Sequence, residues 1–420
     1  MPDRGGDRRP VRPLDSHAVA DAQLSSVVLD GVRERFEAST DFTVGLEEEY
    51  QLLDPGTLAL VNRFEDVIDA ARPPLVDRLA GELIASEVEY KTRAHGRFAD
   101  AARELVEGRL AVADLVEELD MRVGVAGVHP FSPWQEQRII DTPHYRLVEG
   151  ELGYIAWVNN TWSIHLHVGV RGADRAMAAC TAMRSVLPEL LALSANSPVY
   201  GGRDTRLASM RTQIFTKSFP RCGVPDAYPD WESYARHVEL LERTGSIIES
   251  TQIWWSVRPH HAFGTVEVRI CDGQTEMAHA LGVTAFAMAL LAGFLADYDA
   301  GRPLPRDARG LIDENMWRAQ RHALDGELID LAAGTVRPAR DAIRAHLERT
   351  APQQEALGLG PFIVAVDDML RRGNGAERQR AVLARTGDAL AVQREIADET
   401  RASAERLRDA LAAEDASAPR

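Results

Sequence analysis

Phe263-Gly-Thr-Val-Glu-Val-Arg-Ile-Cys-Asp272 decides the fold. Its residues alternate, with Val266, Val268 and Ile270 on one side and Thr265, Glu267 and Arg269 on the other. Period two with β-branched residues predicts a strand with one buried face. On the other face a carboxylate and a guanidinium two residues apart project the same way, roughly 7 Å apart along the strand. Standing alone, that pair is an ordinary exposed ion pair. Three further stretches repeat the arrangement, and the repetition points to a site.

The first is Asp41-Phe-Thr-Val-Gly-Leu-Glu-Glu-Glu-Tyr-Gln-Leu-Leu-Asp54, closed by the turn Asp54-Pro-Gly-Thr57. As a strand it sends Phe42, Val44, Leu46, Tyr50 and Leu52 to the core, and Thr43, Gly45, Glu47, Glu49 and Gln51 to the opposite face; Glu48 faces away from Glu47 and Glu49. Strand interiors disfavour glutamate, so something must compensate for it. In the second, Glu82 to Thr92, Glu87 and Glu89 share a face opposite Val88 and Tyr90, while Glu82 precedes them in a different local conformation. The third, Thr161 to Val170, alternates Trp162, Ile164, Leu166, Val168 and Val170 with Ser163, His165, His167 and Gly169. Two histidines at i, i+2 facing glutamates point to metal or phosphate work.

Together these segments predict an α+β fold: a curved, mostly antiparallel sheet with helices on its apolar back and a polar trough in front. The trough would hold Glu47, Glu49, Glu82 or Glu87, Glu89, His165, His167, Glu267 and Arg269. Carboxylates about 5 Å apart at an effective dielectric near 20 repel by roughly 3 kcal/mol per pair. Cations or protons must therefore sit among them. Carboxylates with an imidazole suit Mg²⁺ or Mn²⁺ better than zinc. Such ions beside arginines make a phosphoryl-transfer site. The chain has neither a Gly-x-x-x-x-Gly-Lys-Ser/Thr loop nor a His-Arg-Asp triplet, so a nucleotide would be held by the sheet and its metals. Between the strands, residues 196–228 carry Arg203, Arg206, Arg211, Lys217 and Arg221 against Asp204 and Asp226. A basic loop in an acidic chain suggests an anionic ligand. Arg258 lies just before the opening strand.

The whole composition is compatible with this. The chain has 420 residues, 45% of them hydrophobic, and a net charge of −16. It could form one large domain or two to three smaller ones. The charge argues against a nucleic-acid partner. Three cysteines without a CxxC (Cys180, Cys222, Cys271) fit a reducing cytoplasm, and no secretory signal opens the sequence. The apolar run Ala280 to Ala296 touches the lower length of a membrane span but reads as a buried helix behind the sheet, with no membrane role. Residues 1–16 are expected to be disordered and His17 to Glu37 helical. A further helix is expected over 98–121, then a strand from Val123 to Val128. From Arg306 the chain is expected to be helical, broken near Gly358-Leu-Gly-Pro361. The expected organisation is 1–40 as tail and helix, 41–375 as the catalytic domain, and 376–420 as an exposed or partner-bound C-terminal helix.

At this point the chain resembles a known family. Gly45-Leu-Glu-Glu-Glu-Tyr, Glu82 through Val88-Glu89, Gly127-Val-His-Pro130, His165-Leu-His-Val-Gly169, Asn196-Ser-Pro198, Asp204-Thr205, Trp254-Trp-x-x-Arg-Pro259 and Thr265-Val-Glu-Val-Arg-Ile-x-Asp272 are similar to motifs of the glutamate–cysteine ligase type 2 family, carboxylate–amine ligase subfamily. More distantly the chain resembles glutamine synthetase. The resemblance implies a glutamine synthetase-like fold and an ATP-dependent ligase. The carboxylate, the γ-carboxylate of glutamate, would be activated as an acyl phosphate and joined to an amine such as cysteine. It also implies Glu47, Glu49, Glu82, Glu89, His165 and Glu267 as metal ligands, His167 and Arg269 as phosphate contacts, and Arg258 and Arg211 as clamps on an acyl phosphate or substrate carboxylate. Glu87 and Arg206 depart from the family pattern. No stretch spells a thiol pocket. The alternative is a metal-dependent hydrolase or amidase using the same glutamates and His165. Small amino-acid substrates are the expected partners, with room for a homo-oligomer.

Overall fold

The structure, a computed structural model, describes residues 24–248 and 250–417. The expected disorder of residues 1–16, and the start of the helix expected from His17, lie outside the described residues. Helix α1 (Leu24–Ala38) leads into the main sheet, whose strands are β1 (Val44–Leu53), β2 (Leu79–Ala80), β3 (Glu87–Lys91), β4 (Arg122–Gly124), β5 (Ile164–Gly169), β6 (Val257–His260) and β7 (Thr265–Val268). Their order is β6-β7-β5-β1-β3-β2, with β4 paired to β1. Every pairing in this sheet is antiparallel.

The alternation in the sequence explains why the sheet has a dry back. Val44, Leu46, Tyr50 and Leu52 of β1 join Val88, Tyr90, Leu166, Val168, Val266 and Val268 in one buried cluster. The helices α2 (Phe98–Glu118), α3 (Ala173–Met183), α4 (Met277–Asp299) and α5 (Gly360–Arg372) contribute to the same cluster. Helix α2 comes close enough to Tyr90 that a Cβ at Gly108 would stand 2.3 Å from its ring. Helix α4 contains the apolar run; it and the stretch Ala173–Ser194 are long and apolar enough to cross a membrane, yet each is 94% buried. A helix that is apolar all round belongs in a core of this kind.

One charged residue breaks the pattern. Glu48 lies on the apolar parity of β1 and is fully buried, as is Arg109 of α2. Arg109 Nε donates to Glu48 Oε2 at 2.9 Å, and Nη2 donates to Oε1. Tyr50 donates to the same carboxylate at 2.6 Å. The remaining guanidinium protons reach the carbonyls of Gln274, Thr275 and Thr400 at 2.9, 2.8 and 3.3 Å. Complete hydrogen bonding is what makes such burial tolerable.

Three expectations need correction. The strand expected to run to Val128 ends at Gly124, since β4 pairs with only the last residues of β1. The region after Arg306 is not all helical: Glu327–Asp330 and Thr335–Pro338 form a hairpin. The C-terminal segment is not a detached tail: its last turns are largely exposed, but the rest packs on the domain. Helices α6 (Gly375–Thr386) and α7 (Ala389–Ser417) pack on each other, and α7 packs on α2, β4 and α4. The backbone N–H groups of Val125 and Met277 donate to Thr400 Oγ1 and Ser403 Oγ, both at 3.0 Å. The expected break does occur, between a helix ending at Ala356 and the start of α5 at Gly360.

Candidate active site

Strand register places the polar groups in rows across the sheet. Arg258 of β6 stands opposite Glu267 of β7, which stands opposite His167 of β5, which faces Gly45 of β1. One step along, His165 faces Glu47, which faces Lys91. One further step brings Glu49 opposite Glu89, and the next places Gln51 opposite Glu87. Directly opposed residues have Cβ atoms about 5 Å apart, so the pairs are forced into contact by pairing alone.

The contacts are dense. Arg258 Nε donates to Glu267 Oε2 at 2.6 Å, and Arg269 Nη1 donates to Oε1. His167 Nε2 lies 3.4 Å from Glu47 Oε2 and 3.9 Å from Glu267 Oε1, while its Nδ1 sits 3.1 Å from Thr265 Oγ1. His165 bridges Glu47 Oε2 at 3.3 Å and Ser163 Oγ at 2.8 Å. Ser163 donates twice to Glu49, from N at 2.5 Å and Oγ at 2.7 Å. Lys91 Nζ reaches Glu89 at 2.7 Å and Glu47 at 3.7 Å.

Environment divides the carboxylates into two classes. Burial works against ionisation of Glu267, but the guanidinium groups of Arg258 and Arg269 outweigh it and hold Glu267 well below the usual carboxylate range. Glu47 is likewise held low against burial by His167 and by hydrogen bonds with both histidines. Glu87 and Glu89 are pushed well above that range, first by burial and then by neighbouring glutamates. Glu82, partly open to solvent, moves the same way through burial and Glu49. Burial and Arg269 hold His165 down at about 4, whereas Glu47 and Glu267 raise His167 despite its burial. One side of the trough is thus ionised and partnered; on the other, Lys91 is the one cation set against Glu82, Glu87 and Glu89, too little to offset their burial and mutual repulsion.

That imbalance tests whether a metal fits. Two trios, Glu47–Glu89–His165 and Glu47–His167–Glu267, each bring one ligand atom per residue within 4.8 Å of the others. Glu47 belongs to both. His167 Nε2 and Glu87 Oε1 are buried with no hydrogen-bond partner. The donors are oxygen and imidazole, a set suited to a hard divalent ion. The residues fit.

The trough above these trios encloses about 450 Å³ and is lined by Glu47, Glu82, Glu89, Lys91, His165, Arg258, Glu267 and Arg269. Its walls include Tyr145, Gln252, Trp254, His260 and Phe263. Tyr145, on the helix Pro143–Leu152, donates to Gly81 O at 2.6 Å and so ties this wall to the loop bearing Glu82. A smaller recess of about 40 Å³ adjoins Glu49, Glu82, Glu87, Arg211 and Arg269.

All ten expected site residues come to these two spaces or their floor, with differences of setting. His167, expected at a phosphate, sits inside a metal-donor trio. Glu49 spends both oxygens on Ser163. Arg258 gives its other protons to the carbonyls of Thr251 and Ile253, at 3.2 and 2.7 Å. Arg211 donates to the carbonyls of Ile270 and Arg269, both at 3.0 Å, and so holds the strand end that carries Arg269. The basic loop does not act as a unit. Arg203 and Arg206 are exposed away from the trough, Lys217 pairs with Asp313, and Arg221 lies over Trp254. Lys91, Ser163 and Tyr145 were missed. The first two share strand parity with the glutamates and histidines, so period two could have found them; nothing local marks Tyr145.

A family model described as glutamate–cysteine ligase family 2 matches residues 43–409. A protein of Rubrobacter xylanophilus, provisionally named glutamate–cysteine ligase 2-3, is 41% identical over 367 residues, covering 87% of this chain and 99% of its own. A Solibacter usitatus protein, provisionally named glutamate–cysteine ligase 2, is 35% identical over 82% of this chain and 90% of its own. Among solved structures, glutamate–cysteine ligase of Francisella tularensis in complex with AMP superposes with a TM-score of 0.63 at 14% identity, over 91% of this chain and 97% of that one. A bifunctional glutathione synthetase of Pasteurella multocida gives 0.62 at 14% identity, over 90% of this chain and 54% of that one. The fold is the antiparallel α+β arrangement expected from the strands, and of the glutamine synthetase-like kind that the resemblance implied.

Proposed function

The chain belongs to glutamate–cysteine ligase family 2 and is a ligase that forms an amide bond, and on that premise we propose an ATP-dependent reaction of the γ-carboxylate of glutamate with a small amine such as cysteine. The observation that carries the proposal is the pair of donor trios sharing Glu47, set beside Glu267 and Arg269. Two adjoining hard-ion sites with a guanidinium at their edge suit a polyphosphate better than they suit a lone water nucleophile. The AMP in the structurally similar Francisella ligase supports a nucleotide as one ligand of this fold.

Glu47, Glu89 and His165 would hold one Mg²⁺ or Mn²⁺, and Glu47, His167 and Glu267 a second. Bound there, the ions neutralise phosphate oxygens and reduce repulsion between two anionic reactants. Arg258 and Arg269 keep Glu267 ionised and fix its rotamer. Arg269 Nε is buried without a partner, which leaves a donor for charge that develops on the moving phosphoryl group. Burial keeps the His165 imidazole neutral, so its lone pair is available as a ligand. Lys91 lies between Glu89 and Glu47 and balances their charge.

The test is ADP release measured with ATP and metal, with and without glutamate and an amine. Release that requires both amino compounds supports the ligase. Amide hydrolysis without nucleotide would instead favour the hydrolase reading. We infer a cytoplasmic setting, a reading supported by the three buried free thiols, which a reducing compartment would keep reduced.

A further inference from the structure

A second cavity, of about 270 Å³, lies away from the trough, between α6, α7 and the start of α4. Its floor is Gln274–Glu276, the segment that follows the strand carrying Arg269. Two buried polar atoms on its lining residues have no hydrogen-bond partner: His279 Nε2 and Gln379 Oε1. His279 is 3% exposed and Gln379 5%. The nearest charged atom to His279 Nε2 is Glu276 Oε2, at 3.4 Å. Burial holds the imidazole down at about 4, so it is neutral, and in its Nδ1–H tautomer Nε2 accepts a hydrogen bond.

The charges around the cavity are uneven. Glu276, Glu395 and Glu399 line it, with Arg378 as the one lining guanidinium. Arg378 is already paired with Glu276. Glu395 and Glu399 meet Arg385 and Arg406, both exposed residues outside the lining. The pairs of Glu395 and Glu399 each engage one carboxylate oxygen, and with His279 Nε2 and Gln379 Oε1 unpartnered the inward-facing surplus is of acceptors. Beside them, Val382, Val392 and Ile396 form an apolar wall. Water could satisfy the orphaned acceptors, but it gains nothing from that wall.

We propose that this cavity is a second small-molecule site, which takes a protonated primary amine carrying a short branched aliphatic group. The ammonium donates to His279 Nε2, Gln379 Oε1 and the carboxylate of Glu399, and the alkyl group lies on Val382, Val392 and Ile396. The site is built from the C-terminal helices and does not depend on the reading of the trough.

The probe is 3-methylbutylammonium, compared with 4-methylpentanoate, the anion that carries the same alkyl group, by calorimetric titration of the full chain without ATP. A Glu47→Gln background disables the trough. Saturable binding of the amine that persists in Glu47→Gln, with the carboxylate binding at least tenfold more weakly, is expected. His279→Leu should abolish this binding. Glu399→Gln, at a half-exposed position with little bearing on folding, should weaken it about tenfold and decides the matter if His279→Leu does not fold. Absence of saturable binding in Glu47→Gln, equal binding of the anion, or unchanged affinity in Glu399→Gln would overturn the proposal and leave the cavity to water.

Discussion

Glu267 is the most constrained group in the trough: 0% exposed, held by two arginines and facing His167. Its Gln variant should weaken metal and nucleotide together, because it removes a ligand present before any bond changes. Arg269→Lys keeps the charge but loses the planar fork. If the contact strengthens as the phosphoryl group moves, kcat should fall about 10²- to 10³-fold with little change in ATP affinity. Normal turnover of a folded Arg269→Lys enzyme would make Arg269 merely the partner of Glu267. Glu48 supplies the contrast. Glu48→Gln strips Arg109 of its counter-charge in a dry core, which should cost about 3 kcal/mol or more in denaturant unfolding. Metal affinity of the folded protein should not change, and an Arg109→Met, Glu48→Met double variant should recover much of the loss. Stability intact with metal binding lost would contradict this placement. The alternation already put Glu48 on the face away from Glu47 and Glu49. What it could not supply was Arg109, which lies on another element and is recognisable only once α2 is packed behind β1.

At the scale of the element, β1 and β3 are strands whose front face is unfavourable by itself. Glu87 and Glu89 have folded pKa values raised well above the ordinary 4.5, first by burial. A raised carboxyl holds its proton in the folded chain after the unfolded chain has lost it, so stability falls as pH climbs through that window. His167, also raised, loses its stabilising charge in the same direction. Below about pH 6.5 the histidines held neutral by burial, His129, His165 and His279 among them, act with the opposite sign. The range pH 7 to 9 is therefore past these histidines, and the thiols of Cys180, Cys222 and Cys271, raised by burial, add to the fall at its upper end. Metal-free protein should lose Tm across it, and the Tm gain from Mg²⁺ with nucleotide should grow over the same range. A metal-induced gain that shrinks from pH 7 to 9 would mean that these carboxylates are not the ones the metal charges. The strands were legible because period two exposes a one-residue error at once: Val266, Val268 and Ile270 had to be buried, and they are. The hairpin at 327–338 was not, since its residues carry no comparable alternation against a core.

Over the whole molecule, the C-terminal helices are part of the scaffold. Thr400 takes part in hydrogen bonds with Val125 and Arg109, and Gln393 donates at 2.9 Å to Gln51, which shares the strand face of Glu47 and Glu49. A chain truncated after Thr386 should lose cooperative thermal unfolding, whereas a dispensable tail would leave the melt unchanged. The Arg/Ala/Glu-rich composition of that segment suggested an exposed helix, because its apolar contacts rest on a few scattered residues such as Val392 and Ile396 and its polar ones reach distant elements. The central claim concerns the route of oxygen. Glutamate labelled with ¹⁸O in its γ-carboxylate, incubated with ATP, Mg²⁺ and the amine, tests it most directly. An acyl phosphate attacked by an amine leaves one labelled oxygen on the inorganic phosphate for each amide formed. Label in phosphate at that ratio is the predicted result; amide formed with unlabelled phosphate would contradict it.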